Sequence, residues 1–144
     1  MSGRICLWQY GERVLEYAGF HLSADADGCA QLLPLLASLA RARTPQIANI
    51  ILDPPTAGVL AIANRRAGNA PVSSYRHWEL AVDPRFPPER LHFRVTSDRV
   101  RTELSPVQIE SMAAGVEDIR ALRGDYAIGD EEEHQLWFWW QERA

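Results

Sequence analysis

Twice along this chain the spacing of apolar side chains changes from every second residue to every third or fourth. Each change directly follows a pair of strand-like segments. Ile5 to Tyr10 is apolar and aromatic, Gly11-Glu12 can turn, and Arg13 to Leu22 resumes with Val14, Leu15, Tyr17 and Phe20, the pattern of a β-hairpin. Ser23, Asp25 and Asp27 then offer N-cap oxygens and negative charge, and Cys29, Leu32, Leu33, Leu36 and Leu39 share one helical face. The second instance has Leu91, Phe93 and Val95 alternating with polar residues, a Ser97-Asp98 turn, and then Val100, Thr102 and Leu104. Ser105-Pro106-Val107-Gln108 follows, with Ser at the cap, Pro at the first helical position and Gln three residues after the cap, a capping-box pattern. Ile109, Met112, Val116, Ile119 and Leu122 form the apolar stripe, and Gly124 is placed to end the helix in a left-handed conformation. A strand that switches period this way must bury one face of a hairpin against one stripe of a helix. The expected fold class is therefore α+β: a largely antiparallel sheet of seven or eight strands with two amphipathic helices, organised as a ββα repeat whose hairpins end in Leu22-Ser23 and Leu104-Ser105.

The first helix is expected to run to about Arg43, with Pro34 inside it lacking the N–H that would bond one turn back. That residue implies either a kink or a helix beginning near Leu33. After Pro45, Ile47–Leu52 and Gly58–Ala63 read as two short strands separated by the Asp53-Pro54-Pro55-Thr56 turn. Arg65 to Ser74 reads as a polar surface loop. Tyr75 to Val82 reads as a strand with Trp78, Leu80 and Val82 on its core side. Beyond the second helix come Tyr126, the acidic run Asp130-Glu131-Glu132-Glu133, and a final strand, Leu136 to Trp140. In that strand Leu136, Phe138 and Trp140 point to one face, and Trp137 and Trp139 to the other.

At 144 residues one core suffices, and folding should bury about 68–70% of the unfolded surface. A single domain over residues 1–144 is expected. All 15 basic residues are arginine and the net charge is −4, which argues against a phosphate-backbone partner. No apolar run approaches the ~20 residues needed to span a bilayer, and the first residues lack a secretory h-region, so a soluble, cytoplasmic protein is expected. Cys6 and Cys29 have apolar neighbours that suit buried thiols rather than a disulfide framework.

The residues that chemistry would need are scattered. There is no zinc knuckle, His-Glu-x-x-His, calcium loop, nucleophile elbow or phosphate-cradling glycine loop, and no cofactor is expected. Close acid partners of a histidine are Glu79, two after His77, and Glu132 and Glu133 beside His134; His77 and Glu79 share a strand face and could form an acid–base pair or part of a metal site, the basis of an alternative reading as a small hydrolase. The aromatic and acidic C-terminal region is instead suited to protein contact, because tryptophan is enriched at binding hot spots and a block of like charge steers association. The partner-binding candidates are Trp137, Trp139, Tyr126, Asp130, Glu131, Glu132 and Glu133.

The C-terminal third, from the Leu-Ser-Pro junction through Gly124-Asp125-Tyr126-Ala127-Ile128-Gly129 to Leu136-Trp137-Phe138-Trp139-Trp140, resembles small uncharacterised bacterial proteins. In size, acidity and α+β make-up the chain is similar to immunity proteins that neutralise bacterial polymorphic toxins. That resemblance implies a non-catalytic module of the inhibitor type, with a toxin or other enzyme as its partner. A homodimer whose C-terminal strands pair across the interface is the remaining alternative.

Overall fold

The computed structural model describes residues 3–10, 19–57, 60, 72–122, 127–129 and 136–139. In chain order the elements are β1 (Ile5–Tyr10), β2 (Phe20–Ala24), α1 (Ala26–Ala40), β3 (Gln46–Ile51), β4 (Val72–Ser74), β5 (His77–Val82), β6 (Leu91–Thr96), β7 (Arg99–Leu104), α2 (Pro106–Arg120), β8 (Ala127–Ile128) and β9 (Leu136–Trp139). The α+β class is as expected, but the nine described strands form two mixed sheets rather than one antiparallel sheet, in the orders β4-β1-β2-β9-β8 and β3-β5-β7-β6. The sheets are mixed because β9 runs parallel to β2, and β5 parallel to β7. Parallel neighbours cannot be joined by a hairpin, so hairpin signals alone do not reveal them.

The two ββα units are real and closely matched. Ile5 pairs with Ala24 and Leu7 with Leu22 in the first hairpin; Leu91 pairs with Leu104 and Phe93 with Thr102 in the second. Each hairpin leads through a capping residue into a helix of 15 residues. Asp25 Oδ1 accepts the Gly28 amide at 2.7 Å, and Ser105 Oγ accepts the Gln108 amide at 3.2 Å. Counted from those caps, Cys29, Leu32, Leu36 and Leu39 occupy the same four buried positions as Ile109, Met112, Val116 and Ile119. The equivalence lies at the caps, so the first Leu-Ser pair belongs inside β2, where Leu22 and Ser23 point to opposite faces.

After each helix two strands cross to the other unit, while β4 returns to its own hairpin beside β1. β3 and β5 join the β6–β7 hairpin, while β8 and β9 join the β1–β2 hairpin. The order β6-β7-β5-β3 thus repeats β1-β2-β9-β8, a parallel strand and then an antiparallel one beside each hairpin. The helices pack along each other, and one buried cluster draws on both helices and on the inner faces of both sheets, including Leu7, Leu22 and Phe138 from the first and Trp78, Leu80 and Val100 from the second.

Several local expectations are corrected. The helix α1 is continuous from Ala26, with Pro34 inside it, so it neither begins near Leu33 nor reaches Arg43. Leu60 is helical, its amide bonding the Thr56 carbonyl at 3.0 Å, where a strand over Gly58–Ala63 was expected. The Asp-Pro-Pro turn supplies fixed φ values that lead into a helix as readily as into a strand. Val72–Ser74, expected in a loop, pairs with Trp8–Tyr10 as β4. The second helix ends at Arg120, and Leu122 takes the left-handed conformation (φ 60°) with 40% of its surface exposed, leaving the apolar stripe one residue short. Gly124 and the Arg13–Ala18 part of the first hairpin lie outside the described residues. No helix among the described residues is long and apolar enough to cross a membrane.

Candidate functional site

Alternate residues of β1, β2 and β9 point away from the core, which puts Cys6, Trp8, His21, Ser23, Trp137 and Trp139 on the second face of the first sheet. That face is covered. His21 is fully buried, with its imidazole stacked at 5.6 Å from the Trp8 ring, 6.0 Å from Trp139 and 6.4 Å from Trp137. Trp139 Nε1 donates to His21 Nδ1 at 2.8 Å, so the imidazole carries its proton on Nε2. Ser23 Oγ donates to the Trp139 carbonyl at 2.7 Å. Trp139 keeps 1% of its surface, and Trp137 is half-buried against the small cluster of Cys6, Trp8 and Trp139. Trp139 is therefore part of the packing, and Trp137 lies at its margin with part of its surface open. Tyr126 and the acidic run Asp130, Glu131, Glu132 and Glu133 lie outside the described residues.

The two cysteines and Glu79 are held in other roles. Burial pushes the Cys6 thiol up to about 12, and that thiol donates to the Pro54 carbonyl at 3.6 Å. Burial likewise raises Cys29 to about 11, beside the Ala24 carbonyl at 3.8 Å. Neither is a thiolate near neutral pH. No group of three His, Cys, Asp or Glu among the described residues is arranged to hold a metal ion. His77 and Glu79 do share the outer face of the second sheet, but the Glu79 carboxylate accepts a hydrogen bond from Arg101 and lies 3.9 Å from Arg99. It serves as a counter-ion.

That outer face is the larger feature. The strand register lays it out in three rows across β3, β5, β7 and β6: Ile47-Ala81-Glu103-His92, Asn49-Glu79-Arg101-Arg94, and Ile51-His77-Arg99-Thr96. With strands about 4.8 Å apart, neighbours within a row are in side-chain reach. Arg90 at the rim bonds Glu103 at 2.7 Å, and that hydrogen bond holds the Glu103 carboxyl below its usual range. Arg101 lies 3.8 Å from the same carboxylate. Four arginines (Arg90, Arg94, Arg99, Arg101) thus share two carboxylates, and Arg94 sits directly across from Arg101, a like-charge pair that costs stability in isolation. At the β3 side the face ends in Ile47 and Ile51, exposed by 57% and 69%.

The alternation in Leu91–Leu104 already placed Arg94, Arg101 and Glu103 on a solvent face. It could not place β5 and β3 beside them, because those pairings join strands far apart in the chain. Ile47 and Ile51 gave no signal of exposure, since an apolar run reads as interior. No protein-family model, curated protein or solved structure matches the chain, so its function must be argued from these side chains themselves.

Proposed function

We propose that the chain is a non-catalytic protein-binding module of the inhibitor or immunity type, docking its partner on the outer face of the second sheet. The supporting observation is the arginine-rich grid flanked by Ile47 and Ile51. Arginine is enriched at binding hot spots, and exposed aliphatic side chains beside it supply area that gains from desolvation. The excess of arginine over carboxylate, with Arg94 opposite Arg101, favours a partner surface that brings carboxylates of its own. A toxin or enzyme with an acidic rim fits that description. The commitment of Glu79 to Arg99 and Arg101 weighs against the alternative of a His77–Glu79 hydrolase.

The test is affinity capture from the native host with the wild type and with an Arg94→Glu/Arg99→Glu variant. The wild type retains a partner, and the variant, folded as judged by its melting temperature, binds it roughly tenfold or more weakly with a flatter salt dependence. Undiminished binding by the folded variant would move the site elsewhere on the molecule. Turnover of ester, amide, glycoside or phosphate substrates by the purified chain would end the non-catalytic reading.

A further inference from the structure

Each of the two sheets has two edges, and three of the four are short or charged. β4 has three residues and β8 two, while β6 carries Arg94 among its outward side chains. The fourth, β3, runs six residues, Gln-Ile-Ala-Asn-Ile-Ile, with no charge, proline or glycine. Proteins protect long edges with such residues, because the unpaired N–H and C=O groups of an open edge are a template for another strand.

The hydrogen-bond pattern identifies which groups are open. The Leu52 amide bonds the Arg76 carbonyl, continuing the β3–β5 ladder, and amides alternate in direction along a strand. The backbone groups of Ile47, Asn49 and Ile51 therefore point away from β5. One residue beyond Leu52, the Asp53 amide points the same way and bonds the Ile5 carbonyl. No other strand pairs with β3 among the described residues. Beside this edge lies an open groove of about 450 Å³, lined by Leu32 and Leu35 of α1, by Asn49 and Ile51, and by Gly3 and Ile5 around the start of β1.

We infer that the edge is completed by a second copy of the chain, with β3 pairing antiparallel to the partner's β3 about a two-fold axis at Asn49. The sequence around that axis is self-matching. Ile47 meets the partner's Ile51, and Asn49 meets the partner's Asn49, whose amide offers both a donor and an acceptor. On the inner side Ala48 meets the partner's Ile50 next to the groove. The three outward-pointing residues form hydrogen-bonded pairs, so the ladder closes fully. The edge is uncharged, so two copies meet there without like-charge repulsion, and an isologous contact of this kind closes on itself. Two four-stranded sheets become one of eight strands with both arginine-rich faces on the same side. The inference stands on the edge alone and does not depend on the docking reading.

Mass in solution tests it. Sedimentation equilibrium over a concentration series should give a species of twice 16.2 kDa, and Ile51→Lys, a charge on an already exposed side chain, should return it to one copy that still unfolds in one cooperative transition, its melting temperature no longer rising with concentration. Register is read separately. In an Asn49→Cys variant the paired Cα atoms are about 5.5 Å apart, within disulfide range, so mild oxidation links two chains, whereas Ile47→Cys alone does not link. A monomer at every concentration, a dimer indifferent to Ile51→Lys, or linkage at position 47 but not 49 would overturn the proposal. Failure of partner docking would show only in the Arg94/Arg99 variant, with the dimer intact.

Discussion

Among the described residues of the first sheet, His21 is the ring stacked against three tryptophans, and its Nδ1 is the acceptor for one of them. Trp139→Ala removes a buried ring and should cost about 3–5 kcal/mol in urea unfolding. Trp139→Phe keeps most of the packing but takes the indole donor away from the imidazole nitrogen, at about 1–3 kcal/mol. Trp137→Ala, at a half-buried position, should cost less than Trp139→Ala. Equal losses at the two positions would mean that the stack is not organised around the buried pair. The sequence located these side chains on one face of the last strand but not the neighbour that covers them, since His21 sits more than a hundred residues earlier. The two thiols provide a pH test. Folding raises Cys6 to about 12 and Cys29 to about 11 from an ordinary value of 9.0, so the folded state holds the thiol protons more tightly than the unfolded chain. Their contribution is fully present below pH 9 and declines as pH rises through 11 and 12. Thiol reagents at about pH 8 should leave both residues unmodified until denaturant is added, and rapid labelling of the native protein would show one of them to be accessible.

Among the elements, the Ser105 cap was the most legible feature, because the cap, Pro106 and the apolar stripe are local and agree with one another. The reciprocal half of the capping box was not: the Gln108 side chain reaches the Glu89 carbonyl at 3.3 Å instead, and Ser105 Oγ also donates to the Pro88 carbonyl at 2.6 Å. Ser105→Ala should therefore cost about 1–2 kcal/mol, at the upper end of cap substitutions. Gly115 shows how a helix propensity can mislead. Alanine would favour the helix by about 1 kcal/mol, yet a Cβ there would lie 2.4 Å from the Phe138 ring. Gly115→Ala should be net destabilising, by about 1–3 kcal/mol of overpacking, measured as a lower melting temperature. A raised melting temperature would show that β9 moves aside freely.

At the scale of the whole molecule, the exchange of strands between the two units decides how the chain holds together. The hairpins and helices could be read locally, whereas the partition into two sheets could not, because β5, β3 and β9 pair with strands that carry no matching signal in sequence. The same limit applied to the candidate docking face: alternation fixed which arginines point outward, and only the register brings Glu79, Arg101 and Arg94 into one row. Since β2 takes its neighbour β9, and β7 its neighbour β5, from the other unit, residues 1–89 and 90–144 prepared as separate fragments should each lack a cooperative thermal transition. Mixed together, they should recover one. A cooperative transition in either fragment alone would show that the exchanged strands are dispensable.

The placement of β9 also bears on how the protein is made. Phe20 pairs with Leu136, and Ser23 holds the Trp139 carbonyl across 116 residues. On the ribosome, the first hairpin and helix emerge long before the strand that fills the interior of their sheet, so β2 waits with an open edge until β9 has been translated. Native packing of that sheet must then wait for β9, and a stop codon placed ahead of it would leave the hairpin and helix without their central seam.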